Sequence, residues 1–153
     1  MCLQVVFHAA LSGLFQSVHG VEYVASRAAL AAQVLGQLQA PSQKMITRLG
    51  GPSSAAAVAR CMATVSLACG DATLERLHYS HVYMYDKVFN EATSAALARQ
   101  LNASRFRVLV TFRQAASWRQ LGLRHCVQVS SLVMKTTGGQ SFRCYVLANM
   151  RQW

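Results

Sequence analysis

Helix-like and strand-like segments alternate along this chain, and the alternation limits its fold more than any other feature. Apolar residues from Met1 to Phe15 recur at helical spacing, and the short apolar segment Val18 to Glu22 follows them. A second amphipathic helical pattern runs from Val24 to Leu38 and ends before Pro41. The first part of the chain therefore predicts helix, strand and helix in that order.

The segment 41–57 contains both prolines, a Gly-Gly pair and several serines, which predicts a surface loop or insertion. Beyond it, the apolar runs Met62–Cys69, Val82–Tyr85 and Phe106–Phe112 predict strands. The last of these is nearly apolar on both faces, as expected of a central strand. Asn90 is suited to cap the helix that lies between the second and third runs.

Two alternating runs close the chain, Cys126–Met134 and Phe142–Ala148, with Gly138-Gly139 between them. This pattern is typical of a β-hairpin. Alternating strands and helices predict a parallel sheet with helices on both faces, and the hairpin adds an antiparallel strand at the sheet edge. The sequence thus predicts an α/β fold in a single domain that spans residues 1–153.

Three of the five acidic residues, Glu22, Asp71 and Asp86, lie just beyond the carboxyl ends of predicted strands. Open α/β sheets bind their ligands at that position. A carboxylate there can accept hydrogen bonds from both hydroxyls of a ribose, which suits Glu22. It can also accept a hydrogen bond from the exocyclic amine of adenine, which suits Asp71. Asp86 would then face the reacting end of the ligand. Acids after strands are also common turn formers and helix caps, and this alternative stays open for each of them.

The segments that carry these acids resemble a known family. Gly-Val-Glu at 20–22 before an alanine-rich helix, Gly-Asp at 70–71, and the run 82–91 with its following helix are similar to class I S-adenosylmethionine-dependent methyltransferases. Within that class the chain most resembles the Dot (disruptor of telomeric silencing) type of histone H3 lysine methyltransferase. The resemblance implies a Rossmann-like, mostly parallel sheet with an antiparallel C-terminal hairpin, and S-adenosylmethionine as cofactor.

Residue roles follow from the resemblance. It implies that Glu22 binds the ribose, that Asp71 binds the adenine amine with Ala72 beside it, and that Phe89 walls the site. Asp86 and Tyr85 are the candidate catalytic residues, which would order the methionine end of the cofactor or the substrate amine.

The chain also departs from the family pattern. Ala72 stands where the family usually has an aromatic residue, and Tyr85-Asp86 stands where it often has Asn. The strand and Gly-rich loop that precede the family's first helix are missing before the helix predicted over Met1–Phe15. We therefore expect an N-terminally truncated methyltransferase fold that binds S-adenosylmethionine weakly or not at all.

Charge is distributed unevenly. Residues 92–153 contain nine basic residues and no acid, whereas residues 1–91 contain six basic residues and all five acids. A basic surface in the C-terminal half predicts a polyanionic partner such as a nucleosome, DNA or RNA. The predicted contacts are Arg99, Arg105, Arg107, Arg113, Arg119, Arg124 and Arg143.

The resemblance, together with the basic C-terminal half, implies a nuclear histone-lysine N-methyltransferase that acts on histone H3 in the nucleosome. The alternative is a non-catalytic basic module that binds nucleic acid or a ribonucleoprotein on a degenerate methyltransferase scaffold. A methyltransferase acting on RNA or a small molecule is a third possibility, since the fold does not determine the substrate. The apolar stretches are too short to span a bilayer, and five scattered cysteines with no histidine at ligand spacing predict no metal site.

Overall fold

The computed structural model describes residues 3–135 and 139–153. The chain divides into two compact units, Met1–Ala72 and Thr73–Trp153, and each is described by itself. The elements in chain order are α1 (Leu3–Leu11), β1 (Val18–Glu22), α2 (Ala25–Gln39), α3 (Gln43–Arg48), α4 (Pro52–Met62), β2 (Val65–Cys69), β3 (His81–Tyr83), α5 (Glu91–Ala103), β4 (Val108–Thr111), α6 (Ala115–Gln120), β5 (Cys126–Lys135) and β6 (Ser141–Asn149). None of the helices in the described part of the chain is long and apolar enough to cross a membrane.

The N-terminal unit consists of a parallel pair of strands covered by helices. Strands β1 and β2 pair in parallel, with Glu22 opposite Cys69. Its core contains Val6, Leu35 and Met62 from three different helices. Burial of this shared apolar surface holds the two strands and the helices together.

Gly20 in β1 lies against the side chains of Val6 in α1 and Leu67 in β2. A Cβ atom at this position would lie 2.9 Å from Leu67 Cδ2 and 3.0 Å from Val6 Cγ2. We expect Gly20→Ala to lower the free energy of unfolding by about 1–3 kcal/mol, because the added methyl overpacks this contact. Urea denaturation measures the change.

Gly36→Ala provides the matched control for Gly20. Gly36 lies on the exposed side of α2, and a methyl group added there would have open space around it, with no atom from another described element within 4 Å. Here alanine should raise the free energy of unfolding by up to about 1 kcal/mol, because glycine is unfavourable within a helix. A Gly20→Ala protein as stable as the Gly36→Ala protein would contradict the packing argument.

The C-terminal unit contains a four-stranded sheet in the order β3-β4-β6-β5. Strands β3 and β4 are parallel, and β6 is antiparallel to both of its neighbours. Phe106, Leu109, Trp118 and Leu147 are almost completely buried in its core. The cap predicted for α5 is confirmed, because the Thr93 N–H donates a 2.8 Å hydrogen bond to the Asn90 side chain.

Strand β5 is a ten-residue edge strand that pairs with β6 alone among the described strands. Its side chains are mostly exposed, including Val129, which is 60% exposed, and Val133, which is 58% exposed. A register shift between Gln128 and Ser130 interrupts its pairing with β6. Such a bulge bends and twists an edge strand locally.

The mixed α/β class and the C-terminal hairpin are confirmed, although part of the predicted Gly138-Gly139 turn lies outside the described residues. Two features differ from the prediction. The strands lie in two sheets instead of one, and the antiparallel strand β6 lies between β4 and β5 instead of at the edge. Sheet order depends on which distant segments pair, and the local pattern of apolar residues does not encode it.

The prediction of a loop over 41–57 is wrong, because this segment contains α3 and the start of α4. Pro52 is at the first turn of α4, where a helix does not need the missing N–H. Gly51 adopts φ 114° at the N-cap, a conformation that favours glycine. The proline and glycines that indicated a loop thus mark the beginning of a helix.

Candidate functional site

Glu22 and Asp71 follow neighbouring parallel strands of the N-terminal unit. Glu22 pairs opposite Cys69, and the Gly70 N–H donates a 3.1 Å hydrogen bond to the Glu22 carbonyl. Asp71 is the next residue, so both acids lie at the carboxyl edge of the same sheet. Both side chains are half-buried, as is the adjacent Ala72. This is the edge at which parallel sheets bind ligands.

The Glu22 carboxylate also shapes the turn into α2. Its Oε1 accepts a 3.0 Å hydrogen bond from the Val24 N–H, immediately before the helix begins. Without this bond that N–H would lack an acceptor in the first turn. The contact fixes the side chain close to the backbone while leaving it partly exposed. The backbone two residues later in the chain therefore positions the Glu22 side chain.

Asp86 is fully buried at the end of β3, with 0% of its surface exposed. Its Oδ2 accepts a 2.6 Å hydrogen bond from the Thr111 hydroxyl, and its Oδ1 accepts a 2.7 Å bond from the Phe112 N–H. The Arg113 Nε lies 3.6 Å from Oδ2. Both carboxylate oxygens are thus engaged by the end of β4.

This network extends to a buried tryptophan and to the segment that follows Asp86. The Trp118 Nε1–H donates a 2.8 Å hydrogen bond to the Thr111 hydroxyl. The Arg113 Nη2 donates a 2.7 Å bond to the Phe89 carbonyl, whereas its buried Nε has no hydrogen-bond partner among the described residues. The Asp86 oxygens thus turn inward and tie the segment after β3 to the end of β4. The catalytic role of Asp86 stays a prediction.

Tyr85 belongs to a group of half-buried aromatic side chains at the carboxyl ends of β3 and β4. Phe112 is at its centre, with ring centroids 5.1 Å from Tyr85, 6.2 Å from Tyr83 and 6.5 Å from Phe142. These four residues are called the aromatic cluster below. Phe112 and Phe142 are not among the predicted site residues, because only sheet pairing brings β6 next to β4.

Six of the seven predicted nucleic-acid contacts are exposed in the C-terminal unit, and Arg113 is the exception. The exposed residues are Arg99, Arg105, Arg107, Arg119, Arg124 and Arg143. Arg113 is half-buried and uses its guanidinium for the Phe89 carbonyl and the Asp86 carboxylate. Because these contacts hold it inside the unit, we remove it from the predicted binding surface.

Four exposed arginines flank the amino ends of β4 and β5, and we call Arg105, Arg107, Arg124 and Arg151 the basic end. The Asn149 N–H donates a hydrogen bond to the Arg107 carbonyl, so the end of β6 lies beside the start of β4. The aromatic cluster lies at the opposite end of the same strands. A polyanion bound at the basic end would therefore contact the end of the sheet that is remote from the cluster.

Two thiols of the C-terminal unit are unsuited to nucleophilic chemistry. Burial raises the pKa of Cys126 to about 11, and burial is also the main cause of the raised pKa of Cys144. Both groups are therefore protonated at neutral pH, and the thiolate is the reactive form. Within residues 3–135 and 139–153, no three His, Cys, Asp or Glu side chains are grouped so as to hold a metal ion.

No protein-family model and no curated protein matches this chain. Glu22 and Asp71 belong to the N-terminal unit, whereas Tyr85, Asp86 and Phe89 belong to the C-terminal unit. That Glu22, Asp71 and Asp86 line one cleft, as their shared position after predicted strands suggests, stays a prediction.

Proposed function

We propose that the chain is an S-adenosylmethionine-dependent histone-lysine N-methyltransferase of the Dot type, acting on histone H3 in the nucleosome. The observation that carries the proposal is the parallel register of β1 and β2, which places Glu22 and Asp71 at one sheet edge. A carboxylate accepts hydrogen bonds only, which matches the ribose hydroxyls and the adenine amine of the cofactor. Glu22 would hold the ribose, and Asp71 the adenine.

The parallel strand pairs also support the proposal. Strand β1 pairs in parallel with β2, and β3 pairs in parallel with β4, as expected of a mostly parallel sheet. The Rossmann-like methyltransferase sheet belongs to this proposal.

The proposed chemistry is an in-line displacement in which an amine attacks an activated methyl group. The bound cofactor supplies that methyl group on a sulfonium, and the protein contributes alignment and exclusion of water. Tyr85 and Phe112 form a half-buried aromatic wall, and contact with this wall would desolvate the substrate amine. Asp86 fixes this wall by its bonds to Thr111 and Phe112.

The second candidate function is a non-catalytic module that binds nucleic acid or a ribonucleoprotein. The basic end favours it, because its arginines are exposed and no acidic residue follows Glu91 in the chain. Contacts between arginine and phosphate supply affinity for nucleic acid and require no catalytic residue. Cofactor binding distinguishes the two candidates.

Titration of the chain with S-adenosylmethionine at millimolar concentrations, followed by NMR, tests the proposal. We expect weak saturable binding that Glu22→Gln reduces further by about 10-fold or more, since hydrogen bonds to charged groups contribute roughly 1.5–3 kcal/mol. Glutamine keeps an acceptor for the Val24 N–H, so the turn into α2 should persist. Asp71→Asn should act in the same direction.

Glu91→Gln serves as the control, because it removes one carboxylate from an exposed position in the first turn of α5. Equal binding by the Glu91→Gln and Glu22→Gln proteins would contradict the assignment of the acids. Micromolar binding by the unaltered chain would contradict the expectation of weak binding. No saturable binding by any of the proteins would favour the nucleic-acid module.

A further inference from the structure

The aromatic cluster already carries a cation from this chain. The Lys87 Nζ lies over the Phe142 ring, 4.0 Å from its centroid. Lys87 is exposed and belongs to the single 3₁₀ turn Asp86–Val88 that follows β3. A cation within about 6 Å of a ring face is attracted by the quadrupole of the ring. The contact is therefore a cation–π interaction.

The other rings of the cluster are oriented so that they do not stack on one another. Phe112 meets Tyr83, Tyr85 and Phe142 at interplanar angles of 86°, 72° and 85°. All four rings are half-buried, so solvent reaches part of each. Phe112 fills the centre of the cluster, so an ammonium group meets the outer ring faces, as the Lys87 ammonium meets the face of Phe142.

The Lys87 ammonium lies over the ring, and it forms no ion pair with an acid of the described residues. The neighbouring Asp86 turns its carboxylate inward, toward Thr111 and Arg113. An exposed cation–π contact is weak compared with a buried ion pair. A second cation could therefore displace Lys87 without disrupting the fold around Asp86.

We propose that the aromatic cluster is a binding site for alkylammonium groups and that Lys87 is its internal ligand. An external alkylammonium group enters only by displacing the Lys87 side chain, which makes Lys87 a built-in competitor. A fully methylated ammonium is the favoured ligand, because it is the less strongly hydrated cation and keeps its charge against the rings. The cluster includes the Tyr85–Phe112 wall of the proposed function, but the inference rests on the Lys87 contact and requires no methyl donor.

Titration of the full chain with tetramethylammonium, observed through the NMR signals of the aromatic rings, tests the inference. We expect Lys87→Met to tighten binding about two- to fivefold, because methionine keeps an apolar stem but removes the competing charge. Lys44→Met is the matched control, because it removes one exposed positive charge from α3 in the other unit. It should leave the affinity unchanged.

Two substitutions of Phe142 separate loss of the site from loss of folding. Phe142→Leu should abolish saturable binding, whereas Phe142→Tyr keeps an aromatic face and should preserve it; thermal unfolding checks that each protein is folded. Equal affinities of the Lys87→Met and Lys44→Met proteins, or unchanged binding by a folded Phe142→Leu protein, would overturn the inference. Failure of S-adenosylmethionine binding would leave it intact.

Discussion

Asp86→Ala is expected to lower the free energy of unfolding of the C-terminal unit by about 3–5 kcal/mol, the cost of removing one partner of a buried charged network. The fully buried carboxylate accepts hydrogen bonds from Thr111 and Phe112 and faces the Arg113 guanidinium. Alanine would leave the Phe112 N–H without its acceptor and the half-buried guanidinium without its counter-charge. Removing a hydrogen-bond partner from a buried group costs more than the net gain from forming the bond.

Chemical denaturation followed by tryptophan fluorescence measures this loss, because Trp118 donates to Thr111 in the same network. Asp86→Asn should cost less, since the amide keeps one acceptor oxygen for the Phe112 N–H. Glu91→Ala is the control: its acid is exposed in the first turn of α5, where a carboxylate typically contributes about 0.3–1 kcal/mol. An Asp86→Ala protein as stable as the Glu91→Ala protein would show that the network adds little.

Affinity for duplex DNA is expected to fall about a thousandfold between 50 mM and 200 mM salt, as for a protein that neutralises about six phosphates. Binding of each arginine to a phosphate releases counterions, and added salt opposes that release. The six exposed arginines of the predicted surface supply these contacts, because they face solvent and have few acids nearby in the chain. Fluorescence anisotropy across a salt series gives the slope of log affinity against log salt.

Two triple substitutions locate the contacts. Changing Arg105, Arg107 and Arg124 to glutamine should reduce the slope by about 3, one unit for each lost phosphate contact. Changing the exposed Arg27, Arg48 and Arg60 of the N-terminal unit removes the same charge and should alter the slope much less. Equal effects of the two sets would indicate a general charge effect, and a flat salt response would mean that the arginines are only solvated.

An element could be predicted from the sequence where its own residues specify its structure. The Asn90 cap and the alternating runs of the hairpin could be recognised because each is specified within a few positions. Helix α6 was missed because six residues provide too short a window for a helical period. The division into two sheets was missed because it depends on pairing between distant strands.

The candidate site shows the same distinction. Glu22 and Asp71 could be placed at one edge, because the carboxyl ends of neighbouring parallel strands meet there. The burial of Asp86 could not be predicted, since its partners Thr111 and Phe112 come 25 and 26 residues later in the chain. The aromatic cluster likewise joins β3, β4 and β6, and only the tertiary structure brings these strands together.

The bulged edge of β5 has a consequence for the behaviour of the protein in concentrated solution. Strand β5 is long, carries β-branched side chains and a single terminal lysine, and has an edge that no other described strand covers. Such an edge can pair with a strand from another molecule and initiate aggregation. The bulge at Val129 interrupts the flat template that such growth requires. The irregular register of the hairpin thus helps the protein stay dispersed, and a substitution that straightened β5 would reduce its solubility before it altered any binding site.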